Sequence, residues 1–336
     1  MQAAIYGLEG LELSDDERSF FRDADPAGFI LFKRNCENAA QVLRLTDALR
    51  DLSGRPDLPI LIDQEGGRVA RMKPPVWPAF PAAERFDQLY ALAPSSAIEA
   101  VRSNARAIGL TLRESGVNVD ALPLLDVRQP GASDVIGDRA LGSEPMQVAA
   151  LGRAVLDGLA SAGVVGIIKH IPGHGRALVD SHKELPVVTA SADELESDLE
   201  PFERLSSAPM GMTAHVIYTA WDQDHPASLS PTVIGEVIRG RIGFDGFLMS
   251  DDLGMEALQG DFGSRAAGVV AAGCDAALHC SGKMDEMVAV AASVPPLGAE
   301  AEARLEGAMA TTLTDDDDGP SFAEVVSKRD ALLAMV

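Results

Sequence analysis

Short apolar runs alternate with longer stretches in which apolar residues recur every three or four positions, and the alternation continues from one end of the chain to the other. The runs predict strands at Ala4–Gly7, Gly28–Phe32, Pro59–Asp63, Val117–Leu122, Val164–Lys169, Met210–His215, Phe247–Ser250 and Ala276–Leu278. The stretches Ser95–Gly116 and Glu144–Gly163 have the spacing of helices that pack one face on a sheet. Helix punctuation agrees. Ser14 with Glu17 and Ser191 with Glu194 read as capping boxes, and Ala162-Gly163 as a glycine stop. Strand–helix alternation argues for parallel βα units, and eight strands is the number that closes a (β/α)8 TIM-type barrel. A doubly wound open sheet is the rival, but it calls for a glycine-rich phosphate turn after an early strand, and none occurs.

Composition narrows this picture. The 336 residues, 46% hydrophobic and 24% charged, show no repeat or low-complexity linker, so one domain over 1–336 is expected. A charge of −23, from 28 Lys plus Arg against 51 Asp plus Glu, opposes polyanions and anionic lipid, so neither nucleic acid nor membrane is expected as a partner. Three cysteines, Cys36, Cys274 and Cys280, lack metal-ribbon spacing and read as reduced thiols. The N-terminus has no basic segment followed by an apolar one, and a cytoplasmic monomer is the expectation. The acidic run Asp315–Asp318 before Gly319-Pro320 reads as a solvated turn.

In a barrel, chemistry collects where strands end, because the βα loops of that face build the site. Those ends read Asp63-Gln64-Glu65-Gly66-Gly67-Arg68, Leu125-Asp126-Val127, Lys169-His170, His215 and Ser250-Asp251-Asp252. A single Asp in such a place is ordinarily a helix cap. Ionisable residues at nearly every end from the third strand onward are not explained that way. From His170, about 20 residues run without periodicity to Ser191, longer than loops without a function usually are. Three of the six histidines lie in this segment. Asp180 and His182 flank one serine, so an extended backbone points both to one face, where the carboxylate fixes the imidazole tautomer and makes an acid/base unit. Asp251, at the tip of an apolar strand, is a fixed anion suited to act as nucleophile, metal ligand or charge stabiliser.

Three motifs in order, Asp63-Gln64-Glu65-Gly66-Gly67-Arg68-Val69, the segment Lys169-His170-Ile171-Pro172-Gly173-His174-Gly175 with Asp180-Ser181-His182, and Ser250-Asp251-Asp252-Leu253, resemble the bacterial β-N-acetylglucosaminidases of glycoside hydrolase family 3. The resemblance implies a barrel enzyme without cofactor that removes terminal β-linked N-acetylglucosamine with retention, from a small carbohydrate or a muropeptide carrying 1,6-anhydro-N-acetylmuramic acid. By the family pattern Asp251 is the nucleophile and His182, oriented by Asp180, the acid/base. Asp63, Arg71, Arg139, Lys169 and His170 hold sugar hydroxyls, His174 shapes the loop, and His215 is structural or touches sugar. A role for Glu65 in organising the Gly66-Gly67 turn is expected, and Leu278-His279-Cys280-Ser281 departs from the family pattern at the rim. Two other readings remain: a metal-dependent barrel hydrolase using His170, His174, His182, His215, Asp180 and Asp251, and a non-catalytic sugar-binding regulator.

Overall fold

The computed structural model describes residues 1–312 and 319–336; the acidic run expected as a solvated turn lies outside the described residues. Eight parallel strands close a barrel in sequential order: β1 (Gln2–Gly7), β2 (Pro26–Leu31), β3 (Ile60–Ile62), β4 (Val119–Asp120), β5 (Val165–Ile171), β6 (Met210–Thr213), β7 (Phe247–Asp252) and β8 (Ala276–His279). Closure is made by β1 against β8, with Ile5 opposite Leu278. All eight expected strands are present, and the open-sheet alternative is excluded by that pairing.

Alternation along each strand divides the apolar residues into two layers. Ala3, Ile5, Ile30, Leu61, Val119, Val165, Ile167, Met210, Phe247 and Leu278 fill the barrel interior. Their neighbours Ala4, Tyr6, Phe29, Leu31, Ile60, Ile62 and Leu248 face outward against the helices. The helix Ala299–Met309 turns Ala301, Leu305, Ala308 and Met309 into the interior cluster, so the N-terminal end of the barrel is closed by apolar side chains.

The helices follow their punctuation. Both predicted capping boxes form, opening Asp15–Ala24 and Ala192–Arg204. The long amphipathic patterns become Pro94–Glu114 and Pro145–Ala160. One helix, Val233–Arg241, has π geometry. Its Arg239 reaches the carboxylate of Asp275 at 2.9 Å.

Two differences in the strand ends bear on the site. β4 stops at Asp120 because Pro123 has no N–H for the ladder. Pairing then resumes as a single bridge, Leu124 with Lys169, which carries Asp126 to the barrel mouth. β7 runs on to Asp252, so Asp251 lies within the strand.

Asp275 ties the closed end together. Its carboxylate, 6% exposed, accepts from Arg239, from Arg304 at 3.0 Å and from the Leu248 N–H at 2.8 Å. Asp275→Ala takes the shared carboxylate from two half-buried guanidinium groups, which keep their other acceptors, and leaves the Leu248 N–H without its side-chain partner. It is expected to lower unfolding free energy by about 3 kcal/mol in denaturant titration, with turnover per folded molecule unchanged because the site lies at the opposite end.

Candidate active site

Past the end of β3, the chain doubles back through a hairpin pairing Gln64–Gly66 with Val69–Ala70. Buried Gln64 staples it: its carbonyl oxygen accepts from the Arg71 and Met72 N–H groups, both at 3.0 Å, and its amide donates to the Met72 carbonyl at 2.8 Å. The turn has Gly66 and Gly67 at φ of +95° and +55°, which side chains rarely adopt. This geometry returns Arg71 over the Asp63 carboxylate at 2.8 Å.

Lys169, near the end of β5, is buried at 2% exposure, with its ammonium 3.1 Å from Asp63 and 2.7 Å from Glu65. Glu65 in turn receives both arms of Arg139 at 2.8 Å. The expectation that Glu65 organises the glycine turn is therefore corrected: its carboxylate is committed to two cations, which hold a buried anion far better than backbone donors do. Arg68 gathers the loop bearing Arg139, pairing with Asp138 at 2.6 Å and donating to the carbonyls of Asp134, Val135 and Ile136.

Five charges thus interlock, three cationic and two anionic. Burial pushes both carboxyls up, but the Lys169 charge, joined by Arg71 for Asp63 and by Arg139 for Glu65, outweighs it. Asp63 is held well below the usual range and Glu65 down to about 2.

His170 is set by Asp126, whose fully buried carboxylate accepts from the ring Nδ1 at 2.7 Å and from the N–H groups of His170 at 3.2 Å and His174 at 2.6 Å. Burial alone pushes the Asp126 carboxyl up, yet His170 and His174 bring it down to about 2. With Nδ1 bound to Asp126, His170 leaves Nε2 for the cavity it lines.

On the opposite wall, Asp251 accepts the Asp252 N–H at 2.8 Å. Burial raises its carboxyl, but the fields of His170 and His215 and that N–H hold it below its ordinary value. His215 is fully buried between the Ser228 hydroxyl at 2.7 Å and the Asp252 carbonyl at 3.0 Å. The carbonyl must receive a proton, so Nε2 donates and Nδ1 accepts from Ser228. His215 is a brace beneath Asp251 and does not line the cavity.

Asp180 and His182 do meet, with Nδ1 2.9 Å from the carboxylate. The backbone there is a turn rather than the expected extended segment. The Asp180 carbonyl accepts from Lys183 and Glu184, and its side chain accepts from the His182 N–H at 3.0 Å. A local turn, not strand alternation, brings the pair together. Burial raises the Asp180 carboxyl, and the His182 N–H and ring overcome it, so the net shift is downward.

One cavity of about 300 Å³ is lined by Asp63, Arg71, Arg139, Lys169, His170, Asp180, His182 and Asp251, the eight residues that the family resemblance marks as catalytic or sugar-holding. Its size lies at the lower end of small-molecule sites. A larger groove of about 960 Å³ lies at the closed end of the barrel, remote from these residues. Cys280 lines the site, its thiol pushed well up by burial and by Asp252. His279 does not reach the rim: it is buried outside the barrel wall beside Tyr6 and Phe262, against Glu286 at 3.2 Å.

Residues 3–314 match the family described as the glycosyl hydrolase family 3 N terminal domain. The chain belongs to glycoside hydrolase family 3. This hydrolase is 39% identical over 279 residues to a beta-hexosaminidase of Bordetella avium, covering 82% of this chain and 79% of that one. It is 41% identical over 282 residues to a beta-hexosaminidase of Alkalilimnicola ehrlichii, covering 82% and 80%. Its fold is similar to crystal structures of NagZ from Neisseria gonorrhoeae, one in complex with zinc ion (TM-score 0.88) and one with N-trifluoroacetyl-D-glucosamine (TM-score 0.85). Each is 30% identical, covering 99% of this chain and 98% of that one. Zinc is part of that complex; among the described residues here, no three His, Cys, Asp or Glu side chains come together as a metal site. Nor is any helix among them long and apolar enough to cross a membrane.

Sequence reasoning missed Asp120, which lies beneath the five-charge cluster with one oxygen on the Gln64 N–H at 3.0 Å and the other without a partner among the described residues. Burial pushes its carboxyl up to about 8; the Gln64 N–H and Lys169 oppose this, while Asp63 and Glu65 add to it. A raised acid contributes stability below its unfolded pKa near 4 and loses it as pH rises through the folded value. Asp120→Asn keeps the acceptor and removes the titration. It should therefore melt like the parent at pH 4 and be more stable by at least about 1 kcal/mol at pH 8 in thermal scans across that range.

Proposed function

We propose that this family 3 hydrolase is a retaining exo-β-N-acetylglucosaminidase that removes terminal β-linked N-acetylglucosamine from cytoplasmic muropeptides carrying 1,6-anhydro-N-acetylmuramic acid, acting as a monomer whose single catalytic domain spans residues 1–336. The observation that carries the reading is the meeting, in one cavity, of an anionic Asp251, an Asp180–His182 pair and a bed of paired charges. The naming of the relatives as beta-hexosaminidases, and the glucosamine derivative bound by the gonococcal protein, support the sugar.

The bed suits a neutral polyol. Asp63 accepts from a hydroxyl, Arg71 and Arg139 donate, Lys169 retains one N–H beyond its two carboxylate partners, and His170 offers Nε2. With the substrate so held, Asp251 attacks C1 as the bond to the leaving oxygen breaks, and His182 Nε2–H gives its proton to that oxygen. Asp180 stabilises the imidazolium that precedes the transfer. In the second half, neutral His182 takes a proton from water, the water oxygen bonds to C1, and Asp251 departs as carboxylate.

Most retaining glycosidases place two carboxyl groups about 5–5.5 Å apart. An imidazole in place of the second removes anion–anion repulsion and can serve both proton transfers.

Trapping with a 2-fluoro glycosyl donor should label Asp251 on peptide mapping, and Asp251→Asn should lower kcat by at least about a thousandfold. Hydrolysis with inverted product configuration, or without any adduct, defeats the mechanism. Incubation with anhydro-muropeptides should release N-acetylglucosamine; failure there with fast cleavage of another β-glycoside overturns the substrate. Turnover of an aryl N-acetylglucosaminide should be unchanged in chelator, whereas loss restored by added metal would revive the metal-dependent alternative.

A further inference from the structure

Between Asp180 and His182 sits Ser181, which is only 3% exposed although the His182 side chain beside it is 65% exposed. Its hydroxyl lies 3.1 Å from His174 Nε2, and its carbonyl accepts the Ala257 N–H at 3.3 Å. His174 is itself fixed. Its N–H donates to Asp126 at 2.6 Å, its ring packs edge-on to His170 at 5.7 Å, and it is 3% exposed. The preceding Gly173 carbonyl accepts the Tyr218 hydroxyl at 2.8 Å, and a Cβ on the following Gly175 would overlap the Val127 carbonyl, so the backbone has no room to shift. A continuous path of hydrogen bonds therefore runs from the barrel wall at Asp126 to the one buried residue of the exposed dyad turn.

We propose that His174 and Ser181 form a latch that holds the Asp180–His182 turn at the cavity, making both of them positioning residues for proton transfer to and from the glycosidic oxygen. The inference rests on reading His182 as the acid/base. Burial foremost, with the charge of His170, lowers the His174 pKa to about 4, so its ring stays neutral while the dyad cycles between protonation states. Asp126 opposes that shift without reversing it. The same strong anchor sets His170 for the sugar, so one carboxylate aligns the binding bed and the proton donor with each other.

Leaving-group dependence separates this role from a general structural one. A glycoside of a sugar alcohol needs its departing oxygen protonated, whereas 2,4-dinitrophenolate leaves unprotonated. Ser181→Ala and His174→Ala are expected to lower kcat/KM for a disaccharide by about 10–100-fold and to leave kcat/KM for 2,4-dinitrophenyl β-N-acetylglucosaminide within about threefold. His174→Gln, whose amide can reach the Nε2 position, should recover most of the disaccharide rate. His182→Ala serves as the reference and should show the same split, larger. Equal losses on both substrates, or no loss on either, in Ser181→Ala would overturn the latch while a split in His182→Ala left the acid/base reading standing. Absence of the split in His182→Ala removes that reading, and the latch with it.

Discussion

A lysine ammonium buried at the mouth of the barrel is the constraint from which most of the site follows. Lys169 belongs to a strand that is apolar apart from it and His170, and the barrel draws its side chain out of water almost completely. An isolated ammonium there would lose its charge, so two carboxylates must converge on it. Asp63 and Glu65 do so from one short hairpin, and they then exceed what a single cation can satisfy. Arg71 and Arg139 complete the balance, and each brings a piece of chain with it: the hairpin strand in one case, the 134–139 loop in the other. Satisfying one charge in this way organises two loops around a common cavity.

The two ends of the barrel solve opposite problems. At the N-terminal end, a helix seals the interior with Leu305 and Met309, and ion pairs around Asp275 lie outside that apolar plug. At the C-terminal end polar groups gather instead, and the Lys169 ammonium is drawn in between Asp63 and Glu65. The interior is thus a core below and a binding bed above, and Ile30, Met212 and Leu278 belong to both, packed in the interior cluster and lining the cavity. The overall charge of −23 does not describe this bed, where three cations meet two ionised carboxylates. Surface charge more than about 8 Å away is largely screened at physiological salt.

The barrel was legible in the sequence because each strand is a compact apolar run, and strand ends announced the chemistry because Asp63, Lys169, His170 and Asp251 have no place in a dry core without partners. Those partners were not legible. Lys169 pairs with a residue 106 positions away and Arg139 with one 74 away, and no local pattern encodes either contact. Glu65 was misassigned for that reason: two glycines follow it in sequence, whereas its nearest neighbours in space are cations. Asp126 was visible as a strand-end acid, but its reach depends on Pro123 ending β4 early and on the bridge of Leu124 to Lys169. The Asp180–His182 contact was foreseen from spacing for the wrong backbone geometry, since a turn and a strand both bring those two positions together.

Rigidity is distributed unevenly between the parts that must cooperate. The binding bed is made of buried, multiply paired charges whose opening would strand at least one ion in a dry environment, so it is fixed before a ligand arrives. The dyad stands on a turn with a largely exposed imidazole and few buried contacts, the low-stability end of the fold. A histidine so placed can exchange protons with water, which the second half of a retaining hydrolysis requires of its base, but exposure also lets it wander. A hydroxyl buried between the two residues of the dyad answers that conflict at one point of the turn. It restrains the position of the imidazole through the backbone and leaves the ring itself in solvent, so that location and proton exchange are governed by different atoms.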